Sequence, residues 1–341
     1  MNLQKVIVTT FTLILLFEFA ACRRPKDAAA LDTLTVYAFS VMKEPLEKDI
    51  FPAFQREWAT GHPGQQIKFS ASFAGSEMVT NQIISGVACD VAIVAIERNA
   101  RRLRTFGATK TDWHELPYEG TINHSPIVIV VRKDNPKQIA DYADLAKPGV
   151  KVIHPDPISS GGAQWAVVSV YGSELIKAEQ SGEPPDEQKA YELLLNVWKN
   201  VISTPESARQ ARTQFESGFG DALITYELEA LQMKDRKMPI KIIMPRATIM
   251  TDHTIVITDR RMPQAKRELV ETFVKFLWSE EAQRAFVKHH FRAISDPDLN
   301  KNETKFVKIE MPFTIEDFGG WQEAYPRIIE NVWKYKVQTM K

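Results

Sequence analysis

Four short segments carry residue types suited to holding an anion. They are Phe39-Ser40-Val41, Ala74-Gly75-Ser76, Ser159-Ser160-Gly161-Gly162 and Ser207-Ala208-Arg209. Each places small, donor-rich residues where an apolar run gives way to a helical pattern. Helix N-termini present N–H groups without an intrahelical acceptor and a partial positive charge, which suits anions. Glycine permits close backbone approach, and serine adds a hydroxyl donor. A fully ionised tetrahedral oxyanion has no proton to give, so its ideal site is all donors with no carboxylate acceptor. Distributed N–H dipoles neutralise such an ion without burying a further unpaired charge. Taken singly, Ser76, Ser160 and Ser207 read first as ordinary N-caps, each contributing about 1 kcal/mol. Gly161-Gly162 alone marks an ordinary turn.

The surrounding pattern positions these segments. A strand at Leu34–Ala38 is followed by an amphipathic helix from about Glu44 to Trp58, with Leu46, Ile50, Phe51, Phe54 and Trp58 at helical spacing. Strand 66–72, helix 77–85 closed by Gly86, and strand 90–95 follow. This β-α-β-α-β alternation predicts a mainly parallel sheet with helices on both faces. The pattern restarts with strands at 126–131 and 150–154, a loop at 155–162 and a helix at 163–171. Helix 187–199, a strand at Val201, helix 208–217 and strand 221–226 complete that half. The last third reads as strand 254–257 and helices at 263–278, 280–289 and 325–335. In open α/β sheets, ligands sit beyond the carboxyl ends of the strands, where the four segments fall.

Bulk properties narrow the field. The 341 residues suffice for two α/β lobes, since single cores stop growing at roughly 250–300 residues. Lys+Arg and Asp+Glu both number 43, so no global basic field exists to hold nucleic acid. An anion must then be held by local dipoles. The apolar run Val6–Phe17 is shorter than the roughly 20 residues of a membrane span and suits the core of an export signal. Ala20-Ala21-Cys22 resembles a bacterial lipobox, with Cys22 as the lipidated residue, although Glu18 and Phe19 depart from the usual pattern. Plain export with cleavage near Ala28-Ala29-Ala30 is the alternative. Residues 23–32 read as a tether.

Other reactive residues read as structural. With Cys22 lipidated, Cys89 stands alone as a buried thiol in an apolar run. The seven histidines show no metal spacing, and His289-His290 point to different sides of their helix. Arg209 and Arg212 could reach the anion, or pair with carboxylates such as Glu206 or Glu216. No P-loop and no Gly-x-Ser-x-Gly elbow occurs, so neither catalysis nor any cofactor is expected.

Ser159-Ser160-Gly161-Gly162-Ala163-Gln164-Trp165 resembles the periplasmic sulfate-binding proteins of ABC transporters. Further similarity runs through 131–139, 144–149, 220–230 and 313–321, nearly the whole chain after the leader. The resemblance implies a two-lobe, type II periplasmic-binding-protein-like fold joined by crossing strands. It also implies an ABC permease partner and a sulfate or thiosulfate ion buried between the lobes. Carried over by position, backbone donors come from Ser40, Ser76, Gly161, Gly162 and Ala208, with the Ser160 hydroxyl and Tyr226. Two positions depart from the family: Ser40 stands where Asp is usual, and Tyr226 where a ligand-facing Trp is usual. Ser40 keeps the backbone N–H. Tyr226 can accept as well as donate, so phosphate, molybdate or tungstate stays open as the ion. A lipoprotein sensor or scaffold on the same fold is a further alternative. The expected organisation is a signal with lipobox at 1–22, lobe 1 at 33–122 plus 250–341, and lobe 2 at 123–249.

Overall fold

β-Branched apolar runs form ten strands of one sheet that bends across the molecule, and helices cover its faces. The computed structural model describes residues 31–340; the apolar leader, Cys22 and the tether as far as Ala30 lie outside the described residues. The strands are β1 (Leu31–Phe39), β2 (Gln66–Ala74), β3 (Val91–Val94), β4 (Thr121–Arg132) and β5 (Val152–Ile153). They continue as β6 (Val201–Ser203), β7 (Ala222–Tyr226), β8 (Ile240–Ile243), β9 (Ala247–Ile257) and β10 (Met311–Phe313). Their order is β2-β1-β3-β9-β4-β7-β5-β6, with β10 on β9 and β8 on β4.

The two flanks are parallel, as the alternating pattern requires: β1 with β2 and β3, and β5 with β6 and β7. The centre is antiparallel. There β4 pairs with β9 through Thr121–Pro126 and with β7 through Ile127–Val131. β9 in turn pairs with β3 through Thr254–Ile257. Two long strands therefore run from one half into the other. Leu31 and Asp32, expected in the tether, already pair with Gln66 and Ile67.

The main helices are α1 (Phe51–Gly61), α2 (Ser76–Ile84), α3 (Glu97–Thr105), α4 (Gly161–Gln180) and α5 (Glu187–Lys199). After them come α6 (Ala208–Glu216), α7 (Glu227–Asp235), α8 (Gln264–Phe276) and α9 (Glu280–Lys288). The apolar stripe expected before Trp58 is buried as a unit, from Leu46 to Trp58. Its Phe51 stacks on Phe69 at 4.0 Å, and Phe54 meets Phe273 edge-on at 5.2 Å. Each such ring contributes on the order of 1.5–3 kcal/mol. Helix α4 is buried all round from Gly161 to Ser173. The C-terminal helical segment Tyr325–Val337 packs on α4 and α5. Trp333 meets Trp198 at 5.3 Å, and the nearby Trp321 meets Trp165 at 4.6 Å.

Candidate functional site

Each candidate residue stands at a strand–helix junction. Ser40 opens a 3₁₀ turn directly after β1. Ser76 is the first residue of α2, behind Gly75. Ser160 caps α4, with Gly161 and Gly162 as the helix's first two residues. That start lies two residues earlier than the sequence pattern implied, because the Ser160 hydroxyl accepts from the N–H of Ala163 and stabilises a turn the glycines would otherwise leave loose. Ala208 opens α6 behind Ser207, and Tyr226 ends β7 where α7 begins.

The junctions converge. A Cβ on Gly161 would lie 3.1 Å from the Cβ of Ser76 and 3.0 Å from that of Ala95. A Cβ on Gly162 would meet the Tyr226 ring at 2.8 Å and its hydroxyl at 2.9 Å. A Cβ on Gly75 would lie 2.7 Å from the carbonyl of Glu206, two residues before Ala208. Arg209 donates through Nε to the carbonyl of Ser40 at 3.0 Å. Ser40 and Ser76 come from one half of the sheet and the other five residues from the second half, so the place lies between the halves. All seven are buried.

The hydroxyls divide by role. Ser76 Oγ donates to Asn99 Oδ1 at 2.9 Å and accepts from the N–H of Ala95 at 3.0 Å, so only its backbone N–H remains to offer. Ser160 Oγ accepts from Ala163 and keeps its proton. Tyr226 is 1 % exposed, and its hydroxyl has no partner among the described residues. Burial, reinforced by the charge of Glu229, pushes its pKa far up, so it stays a neutral O–H donor. The first-turn N–H groups of α2, α4 and α6 lack intrahelical acceptors and carry the helices' positive ends.

Nearby carboxylates are engaged elsewhere. Glu77 pairs with Arg98 at 3.2 Å and with Arg102, and accepts from Gln164 at 3.3 Å. Arg212 holds Glu229 at 3.0 Å and Glu216 at 3.6 Å. Arg209 pairs with neither Glu206 nor Glu216 but with Glu44, Nη1 to Oε1 at 2.7 Å and Nη2 to Oε2. Burial alone would raise the Glu44 pKa, but the hydrogen bonds and charge of Arg209 outweigh it and hold the carboxyl below its usual range. Trp165 Nε1 donates to the carbonyl of Ala95 at 2.6 Å. Sequence reasoning missed Asn99, Glu44 and Trp165 as supports, since their partners lie 23 to 165 residues away.

Other chemistry does not assemble here. His289 binds Asp49 and His290 binds Asp235, each at 2.6 Å. Among the described residues no group of three or more His, Cys, Asp or Glu is arranged to hold a metal ion.

Comparison with known proteins then fixes the family. A profile for bacterial extracellular solute-binding proteins matches residues 34–292. A sulfate-binding protein of Synechococcus elongatus is 30% identical over 348 residues, covering 98% of this chain and 95% of its own. This chain belongs to the sulfate-binding group of that family. The sulfate-binding protein of Escherichia coli is 34% identical and covers 80% of this chain and 82% of its own. A thiosulfate-binding protein of Pseudomonas aeruginosa is 29% identical, with 87% and 89% covered. The solved sulfate-binding protein SubI of Mycobacterium tuberculosis superimposes with a TM-score of 0.76 at 26% identity, over 87% of this chain and 99% of that one. The crossing strands β4 and β9 are thus the connection of a two-lobe, type II binding protein. No helix among the described residues is long and apolar enough to cross a membrane.

Proposed function

We propose that this protein captures sulfate, or thiosulfate, between its lobes and delivers it to an ABC importer. One observation carries the reading. The strand–helix junctions at Ser40, Ser76, Gly161, Gly162 and Ala208 are buried near Tyr226, whose hydroxyl has no partner among the described residues, while Glu77, Glu44 and Glu229 each pair with an arginine, which supports a donor-rich anion site there. Only an acceptor-rich, proton-free ligand satisfies that donor set. The relatives named for sulfate and thiosulfate support the same class of ion.

We take the lobes as 33–122 plus 250–341 and 123–249, with Tyr325–Val337 laid against lobe 2 as a strap. The leader at 1–22 exports the chain, and Cys22 carries a lipid that holds it at the membrane surface.

Calorimetric titration with sulfate, thiosulfate, phosphate, molybdate and tungstate at two pH values tests the reading. Tight, pH-independent sulfate or thiosulfate binding is expected. A preference for phosphate or a larger ion would mean that Tyr226 has retuned the pocket, because its oxygen also accepts. Silence towards all five ions overturns the reading.

A further inference from the structure

We propose that the base of the first lobe holds an anionic amphiphile, in a cavity the oxyanion site does not use. The cavity measures about 280 Å³ and lies beside Thr35 of β1 and Asp90 before β3, on the side of those strands away from Ser40. Ile83, Val87, Ala108 and Met262 form an apolar wall, and Val87 is 42% exposed along it. Cys89 adds to the wall as a neutral thiol, since burial pushes its pKa up to about 12.

The charges on the cavity are three cations and one anion: Arg260, Arg261, Lys266 and Asp90. Asp90 accepts through Oδ2 from Lys266 Nζ at 2.6 Å and from the N–H of Thr35 at 2.6 Å. Lys266 and Asp90 therefore cancel. Neither Arg260 nor Arg261 has a carboxylate partner among the described residues. Two adjacent free guanidiniums are a strong fork for a carboxylate or phosphate. Helix α8 begins at Gln264, immediately behind them, and its positive end adds to the same field.

The combination selects the ligand class. A simple inorganic anion would leave the apolar wall wet, and a purely apolar molecule would leave both arginines unused. A head-and-tail anion satisfies both. The volume falls just below the roughly 300–1,000 Å³ common for ligand pockets, so the tail is short or only its first part enters.

That chemistry belongs both to a free fatty carboxylate and to an anionic phospholipid. The second source has a geometric argument. β1 begins at Leu31, four residues before Thr35, which is about 13 Å of strand. The chain therefore leads toward its N-terminus from this same end of the lobe.

The test uses the full chain, with octanoate as the soluble probe and mixed phosphatidylglycerol–phosphatidylcholine vesicles as the membrane probe. Two variants are compared with wild type: Arg260→Glu combined with Arg261→Glu, and Val87→Asp. All three positions are exposed, so the fold should survive, and an unchanged melting temperature checks it. The oxyanion titration should also be unchanged. Saturable octanoate binding should weaken at least about tenfold in both variants. If flotation with the vesicles also falls in both, the bilayer lipid is the ligand; if flotation is unchanged, the free carboxylate is. Octanoate binding that is absent from wild type or equal in all three proteins, together with equal flotation, overturns the proposal. Neither result bears on sulfate binding, which uses separate residues.

Discussion

The ring of Tyr226 lies against the first turn of α4, leaving no room for a side chain at Gly162: a Cβ there would meet the Tyr226 ring at 2.8 Å and its hydroxyl at 2.9 Å. Gly162→Ala must therefore displace a fully buried ring. Overpacking of this kind costs about 1–3 kcal/mol. Urea unfolding should show that loss, and sulfate affinity should fall at least about tenfold as the donors at both positions shift. Tyr226→Phe makes the complementary test. It removes a buried hydroxyl that has no partner among the described residues, so stability should hold or rise. Affinity should still drop. Unchanged affinity in Tyr226→Phe would remove Tyr226 from the site and leave it as packing.

The two site serines should separate in the same assays. Ser76 Oγ binds Asn99 and Ala95, whereas Ser160 Oγ keeps its proton beside the α4 N-terminus. Ser76→Ala leaves two buried partners unsatisfied, which costs on the order of 1–3 kcal/mol. Its affinity for sulfate should change little, because the backbone N–H is untouched. Ser160→Ala should cost about 1 kcal/mol as a lost cap and should weaken binding clearly. Equal affinity losses from both would contradict this division of roles.

Much of this arrangement was legible before any coordinates. The donor-rich junctions, the strand-helix alternation and the apolar stripe ending at Trp58 all reflect local patterns, and local patterns survive into the fold. What escaped was non-local or locally ambiguous. Helix α3 reads Glu-Arg-Asn-Ala-Arg-Arg-Leu-Arg-Thr, too polar to look like a core element, yet Asn99, Ala100 and Leu103 are buried. Helix α7 is buried from Glu227 to Met233, so no polar face betrays a helical period. β4 changes partner midway, from β9 to β7 and β8, and β9 passes from β10 through β4 to β3, so only part of each long strand showed as a strand in the sequence. The Glu44–Arg209 link spans 165 residues, and no spacing rule could announce it.

That link should govern how long the ion stays. Arg209 bridges Glu44 and the carbonyl of Ser40 from the opposite side of the cleft. Both side chains are about one-fifth to one-quarter exposed, so solvent screens the pair and its contribution to folding is modest. Its effect on the closed arrangement should be larger. Arg209→Ala should raise the sulfate dissociation rate several-fold with little change in association. Stopped-flow measurement following Trp165 or Trp321 fluorescence would resolve the two rates. A variant with wild-type dissociation would show that the contact is incidental to closure.

Acid sensitivity should trace to His253. The residue is fully buried on β9, with its ring 4.7 Å from Phe39 and 5.4 Å from Tyr226. Its Nδ1 lies 2.6 Å from Asn123 Oδ1. Burial, with a smaller effect from the charge of His124, holds its pKa well below the ordinary 6.5. The sign follows directly. Above 6.5 the ring is neutral in both states and adds no pH dependence. Below 6.5 the unfolded chain takes a proton that the folded chain refuses, so stability falls with pH until the folded value is reached. The slope from one such group approaches about 1.4 kcal/mol per pH unit. His253→Gln keeps a donor for Asn123 and cannot titrate. Urea midpoints between about pH 7 and pH 5 should therefore decline less steeply in the variant than in wild type. Parallel declines would assign the acid sensitivity to another group, with His290, whose pKa is also lowered chiefly by burial, the next to replace.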